Sequence, residues 1–167
     1  KNKNQFDSED ENERIFFLHK AVADGLSVHL VKLLIEAFPE SCTIHDSNGM
    51  IPLHHACKKQ RANWVDIAAL LLTASPKSET VEDSNGVTPS QLLKQAATRK
   101  DDDGKLLLHH QATRPKGFTE NSLMILFRAN PEAVALPDNK GMLPFFHACL
   151  NKASSLETLM LFVKLYP

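Results

Sequence analysis

The stretch Asp46-Ser47-Asn48-Gly49-Met50-Ile51-Pro52-Leu53-His54-His55-Ala56-Cys57 returns later in the chain as Asp138-Asn139-Lys140-Gly141-Met142-Leu143-Pro144-Phe145-Phe146-His147-Ala148-Cys149, mostly through conservative exchanges. The same spacing marks run through the rest of the sequence. Gly49 to Gly86 and Gly104 to Gly141 are each 37 residues, and Pro39–Gly49, Pro76–Gly86 and Pro131–Gly141 are each 10. Gly86 to Gly104 breaks the rule at 18 residues, about half a unit. An internal repeat of this period specifies a solenoid, in which each unit buries its apolar face only against its neighbours.

Each unit reads as turn, short helix, loop, longer helix and extended finger. Asp46 ahead of Asn48-Gly49 is a turn signal, because the carboxylate bonds backbone amides two residues on and glycine supplies a positive φ. Pro52 suits the first turn of a helix, whose amide needs no partner. Ser27 is a candidate N-cap for a helix running to Phe38, which Pro39 stops. Trp64, Ile67, Ala68, Leu71 and Leu72 form a buried stripe, and Thr119 caps the helix that follows it. The third unit begins at Asp83-Ser84-Asn85-Gly86, forms one helix around Gln91 to Ala97, and breaks at Thr98–Gly104 without a second. The expected organisation is a flexible acidic leader over 1–13 and a repeat domain over 14–167. Its units are about 14–48, 49–85, a half unit 86–103, 104–140 and a truncated 141–167. Thr98 to Gly104 is predicted to be extended or mobile, with altered repeat geometry across it.

The string Gly49-Met50-Ile51-Pro52-Leu53-His54-His55-Ala56 resembles the ankyrin signature, and Val87-Thr88-Pro89, Leu108-His109 and Leu18-His19-Lys20-Ala21 echo parts of it. Aspartate three residues before the glycine, at Asp46, Asp83 and Asp138, is a further ankyrin habit. The resemblance covers 14–167 and implies an all-α solenoid of stacked antiparallel helix pairs with short finger turns. It also implies that the signature histidine ties neighbouring turns together. Several positions depart from the pattern: units are 37 residues rather than 33, Phe146 stands where the histidine would be, and Leu107 replaces a proline. In these divergent features the chain is similar to ankyrin-like arrays of diatoms and related algae.

Composition excludes several other classes. Hydrophobic residues make up 43% and charged residues 23%, with a formal net charge of −1, as in an ordinary soluble chain. Neither nucleic acid nor an anionic surface is called for by that charge, and no apolar run is long enough to insert into a membrane. Cys42, Cys57 and Cys149 form no paired framework and predict a reducing intracellular compartment. Cys57 and Cys149, at matching repeat positions, read as inert core thiols. The opening at Lys1 and the stop at Pro167, ten residues short of a glycine, predict a piece of a longer protein.

No constellation for catalysis emerges. Eight histidines invite a metal hypothesis, yet the paired short spacings of structural zinc are missing, and repetition accounts for His54 with His109 and for His55 with His110 and His147. No serine or cysteine sits in a glycine elbow, and no glycine-rich phosphate loop occurs. Asp101 to Asp103 lacks a calcium-loop pattern. Residues repeated by translation form a ridge instead of converging on a cleft. The expectation is therefore a non-enzymatic protein-interaction module with no cofactor and no metal. Its partner would bind the concave face lined by fingers and short helices. Candidate contact residues are Thr43, Ile44, His45, Asn48, His55 and Lys59, followed by Glu82, Asn85, His110, Leu136, Asn139 and Lys140. The finger Ala133–Pro137 either packs on its neighbour or anchors a partner, packing being favoured. A structural or tethering subunit of a larger complex is the alternative.

Overall fold

The computed structural model describes residues 16–114 and 119–166, so the acidic leader and most of the loop after Arg114 lie outside the described residues. The described residues are helical, with no strand among them. The chain divides into two compact units, 1–92 and 93–167, and the division falls inside the half unit.

In the first unit, α1 covers residues 16–24 and α2 spans Val28–Ala37. Ser27 caps α2, its hydroxyl accepting the Leu30 amide at 3.3 Å. The next pair is α3, Pro52–Lys59, and α4, Trp64–Ala74; α3 packs on α4, and α4 on α2. All five residues of the expected α4 stripe are buried. Helix α5, Pro89–Thr98, is the lone helix of the half unit.

The second unit holds α6, Leu107–Ala112, and α7, Glu120–Ala129, then α8, Pro144–Leu150, and α9, Leu156–Leu165. Here α6 packs on α8 and α7 on α9. The two longer helices start identically. Thr119 accepts the Ser122 amide and Ser155 accepts the Thr158 amide, each at 3.2 Å, while the paired hydroxyls also touch. Such caps satisfy amides that have no partner within the helix. Leu123, Leu126, Leu108 and Phe162 fill the core between the pairs.

Three features correct the expectations from sequence. The residues after Pro39, Pro76 and Pro131 are not extended; each forms a five-residue 3-10 turn, at Pro39–Thr43, Pro76–Thr80 and Pro131–Ala135. Proline at the first position pre-sets a helical φ, and the preceding Phe38, Ser75 and Asn130 are pushed out of the helical region (φ −139°, −141° and −149°). Second, Thr98 is the last residue of α5, its hydroxyl on the Lys94 carbonyl, and Asp101–Gly104 is a closed turn rather than an extended stretch. Third, Cys149 is exposed while its counterpart Cys57 is buried. Burial pushes the Cys57 thiol up to about 12, so it is inert.

Leu123→Ala should cost about 2–5 kcal/mol in equilibrium denaturation, from lost burial plus the cavity left behind. Ser155→Ala should cost about 1 kcal/mol through loss of one cap. A smaller loss for Leu123→Ala than for Ser155→Ala would contradict the assignment of the core.

Candidate functional site

The fingers are built from one turn used four times. The Asp46 amide donates to the Met50 carbonyl at 2.9 Å, and the Gly49 amide returns to the Asp46 carbonyl at 2.9 Å. Asp46 Oδ1 then accepts from the amides of Asn48 and Met50 at 2.8 and 2.9 Å. Asp83 does the same with Asn85 and Val87, Asp101 with Asp103 and Lys105, and Asp138 with Lys140 and Met142, all at 2.8–3.0 Å. A single carboxylate oxygen thus satisfies two amides that a tight turn leaves without backbone partners.

The second carboxylate oxygen fixes the short helix to the turn. Asp46 Oδ2 accepts from His55 Nε2 at 2.8 Å, Asp101 Oδ2 from His110 Nε2 at 2.8 Å, and Asp138 Oδ2 from His147 Nε2 at 2.9 Å. Each histidine lies nine residues after its aspartate. The Asp83 turn finds Leu92 at that place, and Lys58 reaches over from α3 to bind Asp83 Oδ2 at 2.7 Å. That ammonium, followed by the Val87 and Asn85 amides, holds the buried Asp83 carboxyl down at about 2. The Met142 amide is the largest influence on Asp138, which also lies at about 2.

The signature histidines join one turn to the next. His54 Nδ1 accepts the Ile51 amide at the start of its own helix, 3.2 Å away, while Nε2 donates to the Val87 carbonyl of the next finger at 3.0 Å. His109 repeats the arrangement with the Leu106 amide at 3.1 Å and the Met142 carbonyl at 3.2 Å. His19 donates to the carbonyls of Ile44 and Met50. In His54 and His109 these bonds require a neutral ring with the proton on Nε2, and in His19 they place a proton on Nε2. Burial, the largest influence on all three rings, lowers their basicity below the ordinary 6.5. At α5 the position is Gln91, whose Oε1 accepts the Thr88 amide at 2.9 Å as His54 Nδ1 accepts that of Ile51.

Neighbouring fingers are also tied directly through their backbones. In the first unit the Ser84 amide donates to the Asn48 carbonyl at 3.0 Å, and in the second the Asn139 amide donates to the Asp103 carbonyl at 2.9 Å. Asn139 Nδ2 adds a bond to the Asp102 carbonyl at 3.0 Å.

The residues expected to contact a partner fall into two groups. His45, Asn48, Lys59, Glu82 and Asn85 in the first unit are exposed, as are Asn139 and Lys140 in the second. Of these, His45 Nδ1 bonds the Gly49 carbonyl at 3.1 Å and Asn139 the Asp102 carbonyl, and the remaining candidates are also engaged by the scaffold. Thr43 is exposed but closes its 3-10 turn on the Glu40 carbonyl. Ile44 is half-buried, its carbonyl used by His19. His55, half-buried, and His110, exposed, are bound to their turn aspartates. Leu136 is half-buried, and Ala133 and Val134 of the same finger are buried. Sequence reasoning missed Asp101, Lys58 and Gln91. Asp101 could have been found from its place three residues before Gly104, matching the other turns. Among the described residues no group of three or more His, Cys, Asp or Glu side chains could hold a metal ion.

Two outcomes check this arrangement. Gly49 has φ +69°, and a Cβ there would lie 2.9 Å from the Ser84 amide nitrogen, whereas Gly86, φ +72°, has open space around it. Gly86→Ala should therefore cost only the left-handed backbone strain, about 1–2 kcal/mol, and Gly49→Ala distinctly more in the same urea titration. Stability should also fall with acid in two steps. His19, His54 and His109 bind protons more readily unfolded than folded, so their contribution is complete above 6.5 and declines as pH falls below that value. Asp83 and Asp138, about 2 when folded against 3.8 unfolded, keep theirs above 3.8 and lose it towards 2. His54→Gln, which can keep the helix-start bond as Gln91 does, should flatten the first step; an unchanged slope would contradict the role given to His54.

Against known proteins, the family model described as ankyrin repeats (3 copies) matches residues 18–114. No curated protein matches the sequence. Among solved structures, the chain is similar to one in the complex of the predatory endopeptidase Bd0816 from Bdellovibrio bacteriovorus with the immunity protein Bd3460. That likeness has 16% identity and a TM-score of 0.39, and it covers 89% of this chain and 80% of the other. Ankyrin repeats are protein–protein interaction modules. The repeat turns, the inter-turn histidines and the family match together identify the chain as a member of the ankyrin-repeat family.

Proposed function

We propose that this chain is a non-enzymatic binding module that takes a protein partner on the face made by its finger turns and the exposed side of its short helices. The observation that carries this reading is the division of labour within the finger. Asp46, Asp83, Asp101 and Asp138 satisfy the turn amides internally. The side chains of His45, Asn48, Glu82 and Asn85 in the first unit, and Lys140 in the second, are thereby presented to solvent from a backbone already held in place. A pre-ordered backbone reduces the entropy lost on binding. Lys59, at the end of α3, is exposed as well.

Photo-crosslinking tests the face directly. A photoreactive residue at His45, Glu82 or Asn85 should capture a partner strongly, and one at Lys32 or Thr73, on the longer helices, should capture it weakly. Equal capture from both sets would overturn the reading in favour of a tethering subunit that contacts its neighbours through several surfaces.

A further inference from the structure

The tetrapeptide Asp-Ser-Asn-Gly occurs at 46–49 and again at 83–86, and these copies supply both Asn-Gly pairs of the sequence. Each copy forms the same finger turn. The aspartate Oδ1 accepts the asparagine amide, at 2.8 Å in the first and 2.9 Å in the second, and the glycine amide donates to the aspartate carbonyl at 2.9 Å in both. Asn48 and Asn85 are exposed, and Gly49 and Gly86 share a left-handed φ of +69° and +72°. A difference in reactivity between the two must come from what surrounds the turn.

An asparagine followed by glycine carries its own electrophile and nucleophile. The glycine nitrogen, once its proton has passed to hydroxide, can attack the asparagine Cγ, because no side chain on the glycine obstructs the approach. A C–N bond forms, and the side-chain nitrogen takes a proton from water and leaves as ammonia, giving a cyclic imide. Water then opens the ring at either carbonyl. Opening at Cγ gives aspartate; opening at the main-chain carbonyl gives isoaspartate, whose backbone runs through Cβ and Cγ. Overall, water is consumed and ammonia released.

The surroundings differ. The peptide joining Asn48 to Gly49 is planar, so its nitrogen cannot turn towards Cγ without swinging the Asn48 carbonyl with it. That carbonyl accepts the Ser84 amide of the next finger at 3.0 Å, and a Cβ on Gly49 would lie 2.9 Å from both the amide nitrogen and the hydroxyl of Ser84. Among the described residues no backbone amide is bonded to the Asn85 carbonyl, and nothing lies within 4 Å of where a Gly86 Cβ would be. Opening the second turn therefore breaks one hydrogen bond fewer, a factor of about two to ten in the open population.

We propose that the Asn85-Gly86 pair is a site of spontaneous conversion to isoaspartate, from which the adjoining finger protects Asn48-Gly49. The product places a negative charge next to Glu82 and Asp83. It also lengthens the main chain between the Asn85 and Val87 amides, the two that Asp83 Oδ1 holds at 2.9 and 3.0 Å. The Val87 carbonyl, which receives His54 Nε2 at 3.0 Å, lies directly beyond. Conversion thus loosens the link that the preceding short helix makes to this finger.

The test is ageing of the 167-residue chain in mildly alkaline buffer, followed by peptide mapping with mass spectrometry. Isoaspartate is identified by its acceptance of a methyl group from an isoaspartyl methyltransferase. In the folded chain Asn85 should convert about two to ten times faster than Asn48. In denaturing urea, where the same tetrapeptide is unstructured in both places, the two rates should converge. The isoaspartyl chain, separated by its added charge, should unfold at lower urea than its parent. Equal rates in the folded chain, faster conversion at Asn48, or a difference that persists undiminished in urea would each overturn the protection assigned to the finger. An unchanged unfolding midpoint would overturn the loosening.

Discussion

One carboxylate per finger organises the rest of this structure. A tight turn leaves amides that neither helix nor sheet can satisfy, and unpaired polar groups are costly once neighbouring units begin to exclude water. Placing an aspartate three residues before the glycine satisfies two of them through one oxygen. The other oxygen remains to fix the helix that follows, through His55, His110 or His147. The turn and the short helix that follows it are therefore coupled by a single side chain. Where the turn is set, the signature histidine is positioned to reach the following unit, and the fingers can share backbone bonds.

Much of this was legible in the sequence because its cause is local. Glycine spacing, the prolines, and caps such as Ser27 and Thr119 act within a few residues, so their period was visible along the chain. Histidine equivalences were visible for the same reason. The 3-10 turns after Pro39, Pro76 and Pro131 were not, since β-branched residues such as Thr43 and Ile44 suggest extension and the decisive factor is how proline seats the backbone. Exposure of Cys149 was also hidden. Its local sequence matches that of Cys57, so the difference in burial could not be read from it. Of the contact residues, His45, Asn48 and Asn85 could be placed on the exposed finger from the turn pattern alone. The fixed geometry of His55 and His110 depended on pairing nine residues away, a spacing present in the sequence but unexploited.

The half unit shows how far the repeat can change before its devices must be replaced. Gln91 retains the helix-start function of the signature position through its amide oxygen. Leu92 cannot bind the turn carboxylate, and the counter-charge comes instead from α3. Asp101 then restores the regular turn, with His110 in its usual place. Loss of a helix is thus accompanied by exchange of side-chain partners, while the turn itself is kept.

The Lys58–Asp83 pair also has a bearing on how such an array can grow or shrink by recombination. In the other units the aspartate and its imidazole travel on the same stretch of DNA, so a duplicated or deleted segment carries a complete turn with it. Asp83 depends on an ammonium encoded 25 residues upstream, within the preceding segment. Cutting between the two would strand a buried carboxylate without its cation. A segment that keeps this pair whole must run from Lys58 to Asp83 and so crosses from one unit into the next.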